Sequence, residues 1–186
     1  MSHMEIIRLP SREAIGRAAM ELLSVNPAAS LSDVAARAGV GRATLHRHFP
    51  GRAELIRTLA LEALDATDTA CADLENAPSA RAALERMFEA LVPLGAQYAF
   101  LYRCRTDDPE IERRYEAQVE SLRGLVEWLR REGVVGASVP TAWATALIDQ
   151  LIWMTWTLVA SGKVAARDAS ALALHSLLQG LGEDLQ

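Results

Sequence analysis

"SLSDVAARAGVGRATLHRHFPGRAEL", residues 30 to 55, decides how the rest of the chain is read. Ser30 with Asp33 three residues on has the spacing of a capping box, with Asp where Glu is usual, and it opens a helix of about two turns that closes at Ala38-Gly39. A second short helix is predicted from Arg42 to Phe49, stopped by Pro50-Gly51. Two short helices across a glycine-containing turn make a helix-turn-helix. Its predicted core is Val34, Ala35, Ala38, Val40, Leu45 and Phe49. Ala35 is small where the helices approach, and Gly39 suits a left-handed turn.

If Leu45 and Phe49 face that core, Arg42, Ala43, His46 and Arg47 share the solvated face. Such a face suits a DNA major groove: an arginine fork bonds guanine O6 and N7, and an alanine sits against a thymine methyl. Arg52, at the start of the next helix, adds a cation to the positive end of a helix dipole, and a phosphate is its natural partner. The plainer alternative is a solvated bundle face whose arginines only confer solubility. His46 and His48 are two apart on a helix and point in different directions, so no metal is expected there, and no cofactor elsewhere.

The charge distribution agrees. The 186-residue chain carries a net charge of −5, but residues 1–57 hold eight arginines against five acids, leaving +3 there and −8 beyond. A local basic module for a polyanion, joined to an acidic one, fits this better than one uniform surface. Alanine and aliphatic residues dominate, aromatics are 5%, and strand-like alternation is nearly absent, so the fold class is all-α. Cys71 and Cys104 form no CxxC and read as reduced thiols of a cytoplasmic protein. Met1 to Met4 are set aside as a cloning remnant, and the residues after them do not read as a secretory signal.

Outward from the opening stretch, helices are predicted at Ser11–Leu23, from Arg52 to about Leu74, then, after the break at Asn76–Ser79, at about 79–92, 94–105, 109–132, 141–161 and 168–181. That makes nine, four in front and five behind. Asp108 caps the helix that begins at Pro109, and Asp168 caps the last. Residues 142–160, "AWATALIDQLIWMTWTLVA", are long enough to span a bilayer of about 30 Å. Asp149 near the middle would cost about 2.5–3.5 kcal/mol there, and Gln150 follows it, so a buried helix that meets a second copy of itself is expected, with no membrane.

Residues 31–55 resemble the DNA-binding signature of the TetR (tetracycline-repressor-like) family of bacterial transcriptional regulators, over about residues 11–57. The resemblance implies a helix-turn-helix DNA-binding domain over 5–57, a connecting helix, and an effector-binding and dimerisation domain within 58–186. Thr44 takes the place of a threonine that bonds phosphate, Arg52 that of the usual lysine, and Ser30 and Ser32 match phosphate-touching positions. His46 and His48 stand where tyrosines are usual; an imidazole donates to phosphate but offers less apolar surface. The implied function is a ligand-responsive regulator, a repressor by family habit. It would bind a palindromic double-stranded DNA operator as a homodimer and be released by a small-molecule effector.

The resemblance places the dimer contact on the last two helices, in a four-helix bundle. Leu147, Leu151, Met154 and Leu158 make one apolar stripe and Leu174, Leu177, Leu178 and Leu181 another, which supports it. The effector pocket is expected between helices 79–92, 94–105, 109–132 and 141–161, with Met87, Phe88, Gln97, Tyr98, Tyr102, Trp128, Asp149, Gln150 and Trp153 as candidate contacts. Each of the apolar ones also reads as core. A buried Asp149 needs a partner, either a cationic ligand among aromatic rings or an arginine from a neighbouring helix or subunit. The acidic module leans toward a neutral or cationic effector. No GxSxG, Walker loop, HExxH or Cys/His nucleophile is present, so no enzyme is expected. The competing reading is a helical ligand- or protein-binding module without specific DNA binding.

Overall fold

A computed structural model describes residues 11–95 and 107–181, which form eight α-helices. They are α1 (Ser11–Val25), α2 (Leu31–Ala38), α3 (Arg42–His48), α4 (Arg52–Cys71), α5 (Ala80–Leu91), α6 (Pro109–Arg131), α7 (Thr141–Ala160) and α8 (Ala166–Leu181), with 3₁₀ turns at Leu74–Asn76 and Val92–Leu94. The helix expected over 94–105 lies almost wholly outside the described residues.

Local chemistry accounts for the boundaries. Ser30 Oγ accepts from the Asp33 N–H at 3.2 Å and Asp33 Oδ2 accepts from the Ser30 N–H at 2.8 Å, which completes the capping box at α2. The Ser30 hydroxyl and backbone N–H hold the Asp33 carboxyl below the usual carboxylate range. Asp108 caps α6, accepting from the N–H groups of Glu110 and Ile111. Asp168 does not cap α8: the helix starts two residues earlier, at Ala166, and Asp168 sits in its first turn, where a carboxylate still meets the positive helix end.

Gly39 closes α2 at φ 68°, ψ 29°, its N–H donating to the carbonyls of Ala35 and Ala36. A left-handed backbone carries a penalty for any residue with a Cβ, although no atom lies within 4 Å of where that Cβ would go. Gly39→Ala is therefore expected to cost about 1 kcal/mol from backbone strain alone, read as a few degrees of Tm in thermal unfolding.

Two apolar clusters form. The first joins α1 to α3 and the start of α4 around Ile15, Leu23, Val34, Leu45, Phe49, Leu55 and Leu59. The second, around Leu84, Phe88, Val126, Leu129, Ile148 and Leu177, is built by α5 to α8 and reaches α4 at Ala63. The 20 residues of α4 contain no breaker, so one rigid helix enters both. No helix among the described residues is long and apolar enough to cross a membrane.

The stripes expected on the last two helices divide between inside and outside. Leu151 and Leu177 are buried in the chain's own core, and Leu147, Leu158, Leu174 and Leu178 are half-buried, while the side chain of Leu181 lies outside the described residues. Met154 is 50% exposed, and Trp143 and Leu172 join it on the surface at 65% and 54%.

Candidate nucleic-acid interface and ligand cavity

On α3 the core positions are filled as the pattern requires, with Leu45 and Phe49 buried. Arg42, Ala43, His46 and Arg47 are exposed, and Thr44 and His48 are half-buried at the edges of that face. Residues 34–53 contain no Asp or Glu, so the helix offers its cations no acid of its own. Arg12, Arg17, Arg37 and Arg57 pair with Glu62, Glu13, Glu21 and the Asp108/Glu110 pair. Arg42 and Arg47 have no acidic partner among the described residues. An unneutralised pair of guanidinium groups on an exposed helix face is what a polyanion needs.

Two of the predicted phosphate contacts, Ser30 and Arg52, make hydrogen bonds within the chain. Ser30 is the α2 cap, and Ser32, two positions on, is half-buried in the first turn. Arg52 sits at the start of α4 as expected. Its guanidinium donates to the carbonyls of Ala29, at 2.5 Å, and Pro27, because the loop before α2 presents those otherwise unmet acceptors beside the start of α4. Here Arg52 ties that loop to α4.

The second module holds a cavity of about 670 Å³, within the range of small-molecule sites. Four helices line it, each with one face: Leu64, Asp68 and Cys71 of α4; Met87 and Leu91 of α5; Tyr115, Gln118, Leu122 and Trp128 of α6; Asp149, Ile152 and Trp156 of α7. Trp156 is anchored by its indole N–H to the Leu91 carbonyl at 2.9 Å. Gly95 makes room for that ring: a Cβ there would lie 2.4 Å from Trp156 Cδ1. Trp128 is held by its indole N–H to Glu132 at 2.7 Å, whose carboxylate also accepts from the Ala80 N–H.

Met87, Trp128 and Asp149 thus line the cavity as predicted, and three other candidates do not. Phe88 is fully buried one residue round α5 from Met87, outside the cavity lining, and its backbone carbonyl accepts from Ser170 Oγ of α8. Gln150 is exposed and donates to Asp149 Oδ2 at 3.2 Å. Trp153 stands beside the cavity wall, its ring edge-on to Trp156 at 6.4 Å and 89°. Gln97, Tyr98 and Tyr102 lie outside the described residues. The α4 wall was missed by sequence reasoning, although Leu64, Thr67 and Cys71 recur at helical spacing beyond the first module and carry that signal.

Asp149 has no cationic partner among the described residues. Burial pushes its carboxyl up, and hydrogen bonds with Gln150 and Tyr115 pull the other way. The cavity lining as a whole holds three carboxylates, Asp68, Glu75 and Asp149, against one arginine, Arg131. Cys71 is held protonated: burial first, and then the Asp68 charge, push its thiol up to about 11.

A family model described as bacterial regulatory proteins, tetR family, matches residues 15–59. The HTH-type transcriptional repressor LfrR of Mycolicibacterium smegmatis is 36% identical over 162 residues, covering 85% of this chain and 80% of that protein. The structure is similar to that of LfrR in complex with proflavine, with a TM-score of 0.73 and 31% identity over 94% of this chain and 97% of that one. It also shares its fold with the ketosteroid regulator KstR2 of Mycobacterium tuberculosis, at a TM-score of 0.81 and 18% identity over 94% and 96% of the two chains. With its helix-turn-helix, its cavity and these relatives, the chain belongs to the tetR family of bacterial transcriptional regulators, whose members combine DNA binding with a response to ligands.

Proposed function

We propose that this regulator is a cytoplasmic, homodimeric repressor whose effector is a planar aromatic cation. Residues 5–57 bind a palindromic operator and 58–186 bind the effector and the second subunit. The observation that carries the reading is the pair of unneutralised arginines, Arg42 and Arg47, on a helix joined through α4 to a cavity that holds an uncompensated carboxylate. In a C2 dimer the two recognition helices enter successive major grooves about 34–36 Å apart. Trp143, Met154 and Leu172, the exposed apolar side chains on α7 and α8, support a dimer contact there.

The effector class follows from Asp149. A carboxylate among Tyr115, Trp128 and Trp156 favours a flat cation, which supplies the missing charge and stacks on the rings. The relative LfrR has been crystallised with proflavine, an acridine, which supports the same class here. DNA flanking the chain's own gene, followed by fluorescence anisotropy at two salt concentrations beside a scrambled duplex, tests the operator reading. Equal affinity for both duplexes would refute it.

Asp149→Asn is expected to weaken binding of an N-methylated acridinium, whose charge does not titrate, by about tenfold or more. Because burial raises the Asp149 carboxyl, affinity in the unaltered protein falls as pH drops toward that raised value, beginning above the ordinary carboxylate value of about 3.9. The variant should lose the part of this pH dependence that Asp149 supplies. The sign for stability is opposite. A raised pKa in the folded state means stability is lost as pH rises from the unfolded value through the folded one, so Asp149→Asn should raise the Tm of the empty protein at neutral pH.

A further inference from the structure

Asp68 is part of the cavity wall, yet both its oxygens are occupied from outside α4. Oδ2 accepts from Arg114 Nη2 at 2.5 Å and Oδ1 from Gln118 Nε2 at 2.7 Å. The same two α6 side chains reach further along α4: Arg114 Nη1 pairs with Asp65 at 2.7 Å, and Gln118 Nε2 donates to the Leu64 carbonyl at 3.1 Å. Two α6 residues, one helical turn apart, therefore clasp three α4 positions. Asp68 and Gln118 line the cavity, whereas Arg114 and Asp65 do not. A bound molecule meets the clasp at Asp68 and Gln118, and Arg114 lies behind them.

We propose that Asp68 reports an occupied cavity to α4: a cationic group of the ligand takes the Asp68 carboxylate from Arg114, and the clasp between α4 and α6 opens. This rests on the cationic-effector reading above. Arg114 already shows that the carboxylate accepts a cation, and the ligand approaches the same group from the other side. Toward its other end α4 carries Leu55 and Leu59, which belong to the core of the DNA-binding module, so a freed α4 changes how that module is held. The ligand draws the Asp68 side chain toward the cavity and away from Arg114, so its affinity is reduced by whatever that contact is worth. Removing Arg114 must then tighten binding, although Arg114 never touches the cavity.

The test is binding of N-methylacridinium to the full chain without DNA, for Arg114→Gln, Asp68→Asn and the double variant. Arg114→Gln should bind about fivefold or more tightly than the unaltered protein. Asp68→Asn should bind more weakly, and the double variant should match it, because the effect of Arg114 passes through Asp68. If the unaltered protein binds the probe and Arg114→Gln binds it no better, the clasp inference fails while the effector reading stands. If Arg114→Gln does not fold, Asp68→Asn decides alone, and unchanged affinity overturns the proposal. If the unaltered protein does not bind the probe, the effector reading fails and the clasp inference with it.

Discussion

Replacing Phe49 with Ala is expected to remove about 3–5 kcal/mol from the folding of the DNA-binding module. Phe49 is 2% exposed, and it closes α3 with its backbone N–H on the Leu45 carbonyl at 2.8 Å. The Arg12 guanidinium lies 5.7 Å from its ring centroid. Truncation leaves a void among Ile15, Val34, Leu45 and Leu55, which α2 and α3, at 8 and 7 residues, are too short to survive without tertiary support. The cluster built by α5 to α8 does not include Phe49. Calorimetry should therefore show a new low-temperature transition, with the remaining transition near its original temperature and operator binding lost. A single lowered transition would mean that α4 makes the two clusters unfold as one.

Arg42→Ala combined with Arg47→Ala should reduce operator affinity about 30-fold or more, taking about 1–3 kcal/mol for each fork to a base. The fold should be unchanged, because both side chains are exposed and neither has an acidic partner among the described residues. Anisotropy with operator and scrambled duplexes reads the first effect, and circular dichroism with sedimentation reads the second. If the double variant keeps its sequence preference, α3 is not the reading helix. A parallel fall on both duplexes would assign the two arginines to phosphates and leave base recognition to other groups.

The two predictions fall on the part of the molecule that the sequence describes best. Ser30 and Asp33, Gly39, and the Leu45–Phe49 spacing are local features: caps, a left-handed turn and helical periodicity involve residues a few positions apart. Their consequence, an exposed Arg42–Ala43–His46–Arg47 face, follows from helix geometry alone. The same locality explains the cap at Asp108, while the start of α8 was misplaced by two residues because first-turn carboxylates and caps use the same residue types.

The all-helical class, the helix-turn-helix and its exposed cationic face are legible along the chain, because each is encoded in residues a few positions apart. Which side chains share a cavity depends on the packing of the helices. Met87 and Phe88 are adjacent, and both are apolar, yet one lines the cavity and the other is buried away from it; α4 supplies a wall that no local pattern assigns to a pocket. Arg52 reaches the carbonyls of Pro27 and Ala29, and Asp68 meets Arg114 across 46 positions of chain. One cause underlies all of these. A side chain's partner is chosen by how helices pack, and packing is set by contacts between residues far apart in the sequence.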